Sequence, residues 1–363
     1  MTAIYNAIRP LLFQLPPEAS HDLVIKSLTK INNHPRLLSL VENRFKKAMP
    51  QLPVEIMGIR FPNPIGLAAG LDKQGSCGNA FSAMGFGWVE MGTVTPEPQA
   101  GNDKPRMFRL KEHQAIINRM GFNSCGLQQF LQSVVTTQPH VIKGINIGKN
   151  AKTPIEQAAD DYLACMDAVY LHADYITVNI SSPNTQNLRA LQNDDALDTL
   201  LAAIVHKGRM LAEQSGKKVP LVLKIAPDLD QKQIDMIARL VQAHKIDAVA
   251  ATNTTIDKIT VADHPCGNEA GGLSGAPVRG QSTWVIATLA NALQGSVPIM
   301  GMGGIDNPSA AIEKLKAGAS LLQLYTGFIY KGPKLIEDIA LALAKECSEQ
   351  TFNQWLDLQH RQY

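Results

Sequence analysis

The stretch Tyr175-Ile-Thr-Val-Asn-Ile-Ser-Ser-Pro-Asn-Thr185 joins two kinds of sequence. Tyr175 to Ser181 is dense in β-branched residues and stops before Pro183, which lacks a backbone donor. It therefore reads as a buried strand opening at its C-terminal end into a polar loop. A core strand has no need of the Asn179 amide, of hydroxyls at Ser181 and Ser182, or of Asn184 and Thr185 just beyond. Each such group buried unpaired costs about 1–3 kcal/mol, so the loop either caps itself as an ordinary turn or holds something polar.

The same strand-then-helix unit recurs on both sides of this stretch. Strand candidates are Ile65–Gly70, Trp88–Thr95, Val141–Gly148, Tyr175–Ser181, Leu221–Ala226, Ala248–Asn253, Val297–Gly304 and Leu321–Gly327. Helical periodicity lies between them, clearest at Pro154–Leu171, Asp194–Glu213, Asp230–His244, Pro308–Ala317 and Leu335–Lys345. Apolar strands alternating with helices imply a parallel sheet covered on both faces, and eight such units predict a closed (β/α)₈ TIM barrel. An open doubly wound sheet fits less well, because Gly301-Met-Gly-Gly304 lacks the third glycine of a dinucleotide loop.

Three segments fall outside the repeat. Val54–Pro62, centred on Gly58, reads as a hairpin plugging the barrel's underside, and Arg106–Leu110 with Ala115–Arg119 as a second hairpin over its mouth. Residues 1–50 carry an apolar stripe (Ile4, Tyr5, Ile8, Leu11, Leu12, Leu15) interrupted by Pro10, a second helix from near Ser20, and a third apolar run from Leu37 to Val41. None reaches the ~18 apolar residues of a membrane span, so these helices either pack on their own domain or lie in a membrane interface. The tail, 346–363, has weak helical character and no evident chemistry.

A formal net charge of +2 with both signs scattered gives no electrostatic footprint for nucleic acid. Five dispersed cysteines suit free thiols in a reducing compartment. The nine histidines show no metal-ligand spacing.

In a parallel barrel all strand C-termini share one face, where the active sites of this architecture lie. Here those ends carry Ala68 to Lys73, Thr93, Asn146, Asn179 to Thr185, Lys224, Thr252 to Thr255, Gly303-Gly304 and Tyr325-Thr326-Gly327. Singly, each has an ordinary structural role; together they mark a site. Glycines and free amides after strands seven and eight suit a phosphate. The neutral amides and hydroxyls suit a flat heterocycle, and Lys73 and Lys224 place positive charge beside it. The pattern predicts a phosphorylated planar cofactor and a small polar substrate. A Schiff-base aldolase using Lys224 and a non-catalytic phosphate-binding sensor remain alternatives.

Nearly the whole chain resembles the dihydroorotate dehydrogenase family, in its membrane-associated, quinone-reducing class. The motifs are Gly66-Leu-Ala-Ala-Gly-Leu-Asp-Lys73, Gly92-Thr-Val-Thr-Pro96, Gly101-Asn-Asp-Lys-Pro-Arg106, Ile117-Asn-Arg-Met-Gly-Phe122, Gly144-Ile-Asn-Ile-Gly-Lys-Asn150, Asn179-Ile-Ser-Ser-Pro-Asn184, Lys224-Ile-Ala-Pro-Asp228, Ala251-Thr-Asn-Thr-Thr255 and Gly271-Gly-Leu-Ser-Gly275. The resemblance implies an FMN enzyme of pyrimidine synthesis that oxidises dihydroorotate to orotate and passes electrons to ubiquinone or menaquinone. It implies Ser182 as base, assisted by Thr185 and Phe122; the soluble classes carry cysteine there. FMN would be held by Ala68, Ala69, Gly70, Lys73, Thr93, Asn146, Asn179, Lys224, Thr252, Gly275, Gly304, Tyr325 and Thr326. Substrate would meet Lys73, Asn118, Arg119, Met120, Gly121, Phe122, Asn179, Asn184, Asn253 and Thr254. Residues 1–50 become a quinone-tunnel segment that dips into the membrane, 51–345 the barrel, and 346–363 a tail of unassigned role. The implied location is peripheral, on the cytoplasmic face of the bacterial inner membrane, with the oligomeric state, monomer or weak dimer, left open.

Overall fold

Among the described residues thirteen strands form: β1 (Val54–Ile56), β2 (Ile59–Phe61), β3 (Ile65–Leu67), β4 (Trp88–Val94), β5 (Met107–Leu110), β6 (Ala115–Asn118), β7 (Ile142–Ile147), β8 (Tyr175–Asn179), β9 (Leu221–Ile225), β10 (Ala248–Ala251), β11 (Gly272–Gly275), β12 (Ile299–Met302) and β13 (Ala319–Leu324). The computed structural model describes residues 2–47, 49–185 and 187–363; the side chains of Thr2, Ala3 and Ile4, the last of them first in the expected apolar stripe, lie outside the description. The eight expected core strands are β3, β4, β7, β8, β9, β10, β12 and β13, which close in chain order into a parallel (β/α)₈ barrel. They run one to three residues shorter than expected at their C-terminal ends, because those ends leave the ladder to line a cavity.

Inside the barrel, packing is a matter of ring against glycine. A side chain at Gly144 would collide with the Tyr175 ring, so the bare backbone of β7 is what lets that phenol cross the interior. The β1–β2 hairpin covers the N-terminal end, where Phe61 meets Trp88 edge-on with 4.9 Å between centroids. Outer helices begin where local chemistry caps them. Asp230 and Gln233 form a reciprocal box before Gln231–His244, and Asn307 accepts from the Ala310 amide before Pro308–Lys316.

Over the opposite end, β5, β6 and β11 make an antiparallel sheet with its own small core, including Leu110, Ile117 and Leu273. The hairpin was anticipated from sequence; the third strand, Gly-Leu-Ser-Gly, was not.

At the N-terminus, α1 (Thr2–Leu12) runs through Pro10 instead of breaking there. Pro10 sits in the last turn, where one lost helical hydrogen bond is tolerated. The next helix, α2 (Pro17–Asn32), starts three residues before Ser20, with Pro17 at its first turn, where a missing amide hydrogen is harmless. It is followed by α3 (Pro35–Phe45). Arg9 donates to the Tyr330 carbonyl at 2.7 Å, and Arg106 pairs with Glu18 at 2.7 Å, tying α1 and α2 to the barrel's mouth. The tail forms a helix, Phe352–His360, which buries Phe352, Trp355 and Leu356 in the main core.

Candidate active site

A polar chain climbs the barrel interior from Glu90. This buried carboxylate accepts from Gln323 Nε2 at 2.6 Å, Asn146 Nδ2 at 2.8 Å and the Tyr175 hydroxyl at 2.9 Å. Asn146 Oδ1 then accepts from Thr93 Oγ1 at 2.6 Å and Asn179 Nδ2 at 3.2 Å. Asn179 Oδ1 accepts from Ser181 Oγ at 2.9 Å, and Ser181 Oγ in turn accepts from Asn253 Nδ2 at 2.9 Å. The amides at the ends of β7 and β8 are therefore locked in one orientation.

The barrel's mouth is a cavity of about 1090 Å³ including its open rim. Of the residues expected around a cofactor and substrate, it is lined by Ala68, Ala69, Gly70, Lys73, Thr93, Asn118, Met120, Gly121, Phe122, Asn179, Ser182, Asn184, Lys224, Thr252, Asn253, Thr254, Gly275, Gly304, Tyr325 and Thr326. Three others sit off it. Asn146 is buried behind Thr93 as the link just described. Arg119 turns outward, its guanidinium 2.7 Å from Glu269 and stacked on Phe108. Thr185 is buried beyond Ser182, its hydroxyl without a hydrogen-bond partner among the described residues.

The lining fits a polar, anionic group. Thr252 Oγ1, Thr254 Oγ1 and Gln323 Oε1 are buried at the cavity without a partner among the described residues, an arrangement that costs free energy unless a ligand completes it. Gly304 takes a φ of +72°, and a Cβ there would press within 2.9 Å of the Arg279 amide nitrogen, so this corner presents bare backbone. Burial, with the nearby positive charge of Arg106, pushes the Lys73 ammonium down to about 7; its Nζ donates to Asn123 Oδ1. Burial also lowers Lys224, and the Glu90 carboxylate opposes that shift.

Sequence reasoning missed Glu90, Gln323, Ser274 and Asn123. The first two carried the signal that revealed Asn179, a polar residue inside an otherwise apolar strand. Ser274 and Asn123 had none, because they lie on a strand and loop placed only by tertiary packing.

A second cavity, about 920 Å³, opens between α1, α2 and the barrel. Its walls are mostly apolar (Leu12, Val24, Ile25, Leu28, Phe328), with Ser20, His21 and Arg109 among the polar exceptions. Burial, then the Lys73 charge, pushes His21 down to about 4. Tyr325 lines both cavities.

Residues 51–346 match the family model described as dihydroorotate dehydrogenase. A protein of Chromobacterium violaceum called dihydroorotate dehydrogenase (quinone) is 55% identical over 342 residues, 94% of this chain and 98% of that one. One of the same name from Aeromonas salmonicida is 55% identical over 337 residues, 93% of this chain and 98% of that one. The crystal structure of DHODH in complex with ferulenol from Eimeria tenella superposes with a TM-score of 0.87 at 34% identity, over 97% of this chain and 99% of that one. With a match over most of its length and the barrel that goes with it, this chain belongs to the dihydroorotate dehydrogenase family, and it is an oxidoreductase.

Proposed function

We propose that this chain oxidises dihydroorotate to orotate on a bound FMN and returns the electrons to a membrane quinone. The observation that carries the reading is a single cavity in which Ser182 shares the lining with Lys73, Asn118, Asn179, Asn184 and Asn253. When bound, FMN supplies at N5 the acceptor for the hydride that leaves substrate C6. Thr252, Gln323, Lys224 and the bare backbone near Gly304 would hold it, Lys224 and the backbone favouring its anionic parts and Gln323 Oε1 accepting from an N–H. Lys73 faces the substrate carboxylate, and the asparagine amides, Asn179 and Asn253 fixed through Ser181 and Asn184 donating to Asn118, match the ring's carbonyl and N–H groups. Ser182 takes the C5 proton while the C5=C6 double bond forms. A serine hydroxyl is a weak base alone, so the proton passes on by way of Thr185 toward solvent, with Phe122 limiting access of bulk water.

The second cavity is the quinone site in this reading. Its apolar walls suit a quinone's ring and tail, and Tyr325 lines both this cavity and the one that would hold the flavin. Ile8, Leu11, Leu15, Leu23, Leu37 and Leu40 are exposed on and between α1, α2 and α3, apolar surface that supports peripheral attachment to the cytoplasmic face of a bacterial inner membrane. No helix among the described residues is long and apolar enough to cross a membrane. The decisive experiment is anaerobic mixing of the yellow protein with dihydroorotate. Bleaching is expected, and its regain of colour on adding a quinone completes the cycle; flavin-loaded protein that stays yellow rejects the substrate assignment.

A further inference from the structure

The Lys224 to Asp228 run ends on a carboxylate with no place in the chemistry above, and Asp228 faces an arginine that is equally unassigned. Arg189 lies in the 3₁₀ turn Leu188–Gln192, just past the loop carrying Ser182. Its planar fork is spent on three different strand ends. Nε donates to the Ser181 carbonyl at 3.1 Å, Nη2 to the Thr254 carbonyl at 2.8 Å, and Nη1 to Asp228 Oδ2 at 2.7 Å. Asp228 in turn accepts from the Thr255 hydroxyl, from the Ile256 amide at 3.2 Å and from Gln281 Nε2 at 3.3 Å. A further bond, from the Ala226 amide to Gln192 Oε1 at 3.0 Å, fastens the same turn to the end of β9.

We infer that Arg189, anchored by Asp228, is a positioning residue that sets the spacing between the two walls of the substrate cavity. One wall carries Ser182, a single peptide beyond the carbonyl that Arg189 holds. The other carries Asn253 and Thr254, whose own carbonyl it holds. The guanidinium spreads its donors over three nitrogens in a rigid plane and so holds the two carbonyls and the carboxylate apart, whereas an ammonium donates from a single nitrogen and would have to draw all three onto one point. The inference rests on the proposed role of Ser182. A displacement of about 1 Å between base and substrate can cost on the order of 100-fold in rate without any loss of folding.

The test uses the full flavin-loaded chain with Arg189→Ala, Arg189→Lys, Asp228→Asn and, for comparison, Ser182→Ala. Flavin per chain, melting temperature and the rate of flavin bleaching at saturating and limiting dihydroorotate are measured. Arg189→Ala is expected to keep its flavin and melt close to the wild type, yet bleach about 10–100-fold more slowly at saturation. Added guanidinium should recover part of the rate, and Arg189→Lys should fall in between. A wild-type saturating rate in Arg189→Ala, or a loss that only tracks lost flavin and melting temperature, overturns the inference. Should Arg189→Ala not fold, Arg189→Lys and Asp228→Asn are read by the same two outcomes. A slow Ser182→Ala beside an unaffected Arg189→Ala defeats the clamp alone. A wild-type rate in Ser182→Ala defeats the reading of Ser182, while the Arg189 variants still decide whether the walls are held.

Discussion

Tyr325 donates its phenolic hydroxyl to the Gly70 carbonyl at 3.2 Å, and it lines both the polar cavity and the apolar one, a wall common to the two. The bond is long and the ring is large, so the ring carries the function. Tyr325→Phe is expected to cost less than about 1 kcal/mol of stability and to bind FMN within a few-fold of the wild type. Tyr325→Ala removes that common wall and is expected to weaken FMN binding at least about tenfold, corresponding to about 1.4 kcal/mol. Titration of the flavin-free proteins, followed by quenching of FMN fluorescence, checks both; equal affinity in Tyr325→Ala means the ring is no part of the cofactor wall.

If Lys73 meets the substrate carboxylate as proposed, binding acquires a pH dependence of known sign. Lys73 in the free protein is pushed down to about 7, chiefly by burial. Above that pH the lysine is neutral, and a bound carboxylate must draw a proton back onto it. Orotate binding is therefore expected to take up protons and to weaken with rising pH above about 7, by at most tenfold per pH unit. Lys73→Met should bind weakly and lose that slope. Calorimetric titration in buffers of different ionisation heat measures the proton directly, and zero uptake near pH 8 would falsify the assignment of Lys73 to the carboxylate.

The architecture was legible because a barrel strand is buried on both faces and must be written in apolar, β-branched residues. Tyr175–Asn179 and Leu221–Ile225 stand out for that reason. Asn179, Ser182 and Lys224 were legible because an apolar strand has no use for them. What escaped lacked a local signal. Gly272–Gly275 is a strand only because β6 offers it an edge. Arg189 and Asp228 are ordinary charges until the loops after β8, β9 and β10 are brought together. Arg119 shows the converse: its neighbours Asn118 and Met120 line the cavity, but its own side chain finds Glu269 outside. Which way a loop side chain turns is settled by partners far along the chain.

Lys314 supplies a test of the fold that owes nothing to catalysis. It is fully buried, and its Nζ donates to the Arg279 carbonyl at 2.9 Å and to Thr283 Oγ1 at 2.7 Å. Burial pushes it down to about 7 from an ordinary 10.5. Between those values the unfolded chain binds more protons than the folded one, so this residue's contribution makes stability rise with pH and is flat below about 7. Relative to Lys314→Met, the wild type should gain up to about 1.4 kcal/mol per pH unit from pH 7 toward pH 9. Urea unfolding of both proteins across that range gives the difference; a constant gap would mean the lysine stays charged in its pocket.

The apolar cavity makes the last prediction, because it can be filled without touching the polar one. Val24, Ile25 and Leu28 of α2 line the apolar cavity together with Phe328 and Tyr325. A tryptophan in place of Val24 projects into open space, so Val24→Trp should avoid the 1–3 kcal/mol or so that overpacking a closed core costs. Its expected effect falls on one half of the cycle only. Bleaching of the flavin by dihydroorotate should proceed at the wild-type rate, since the residues around Ser182 are unchanged. Reoxidation by a long-chain quinone should slow at least about tenfold, the loss of about 1.4 kcal/mol of binding or transition-state stabilisation. Stopped-flow measurement of the two half-reactions separates them. Full quinone turnover in a Val24→Trp protein that melts like the wild type would place the electron exit elsewhere. Slowing of both halves would mean that the helix, and not the space beneath it, had been disturbed.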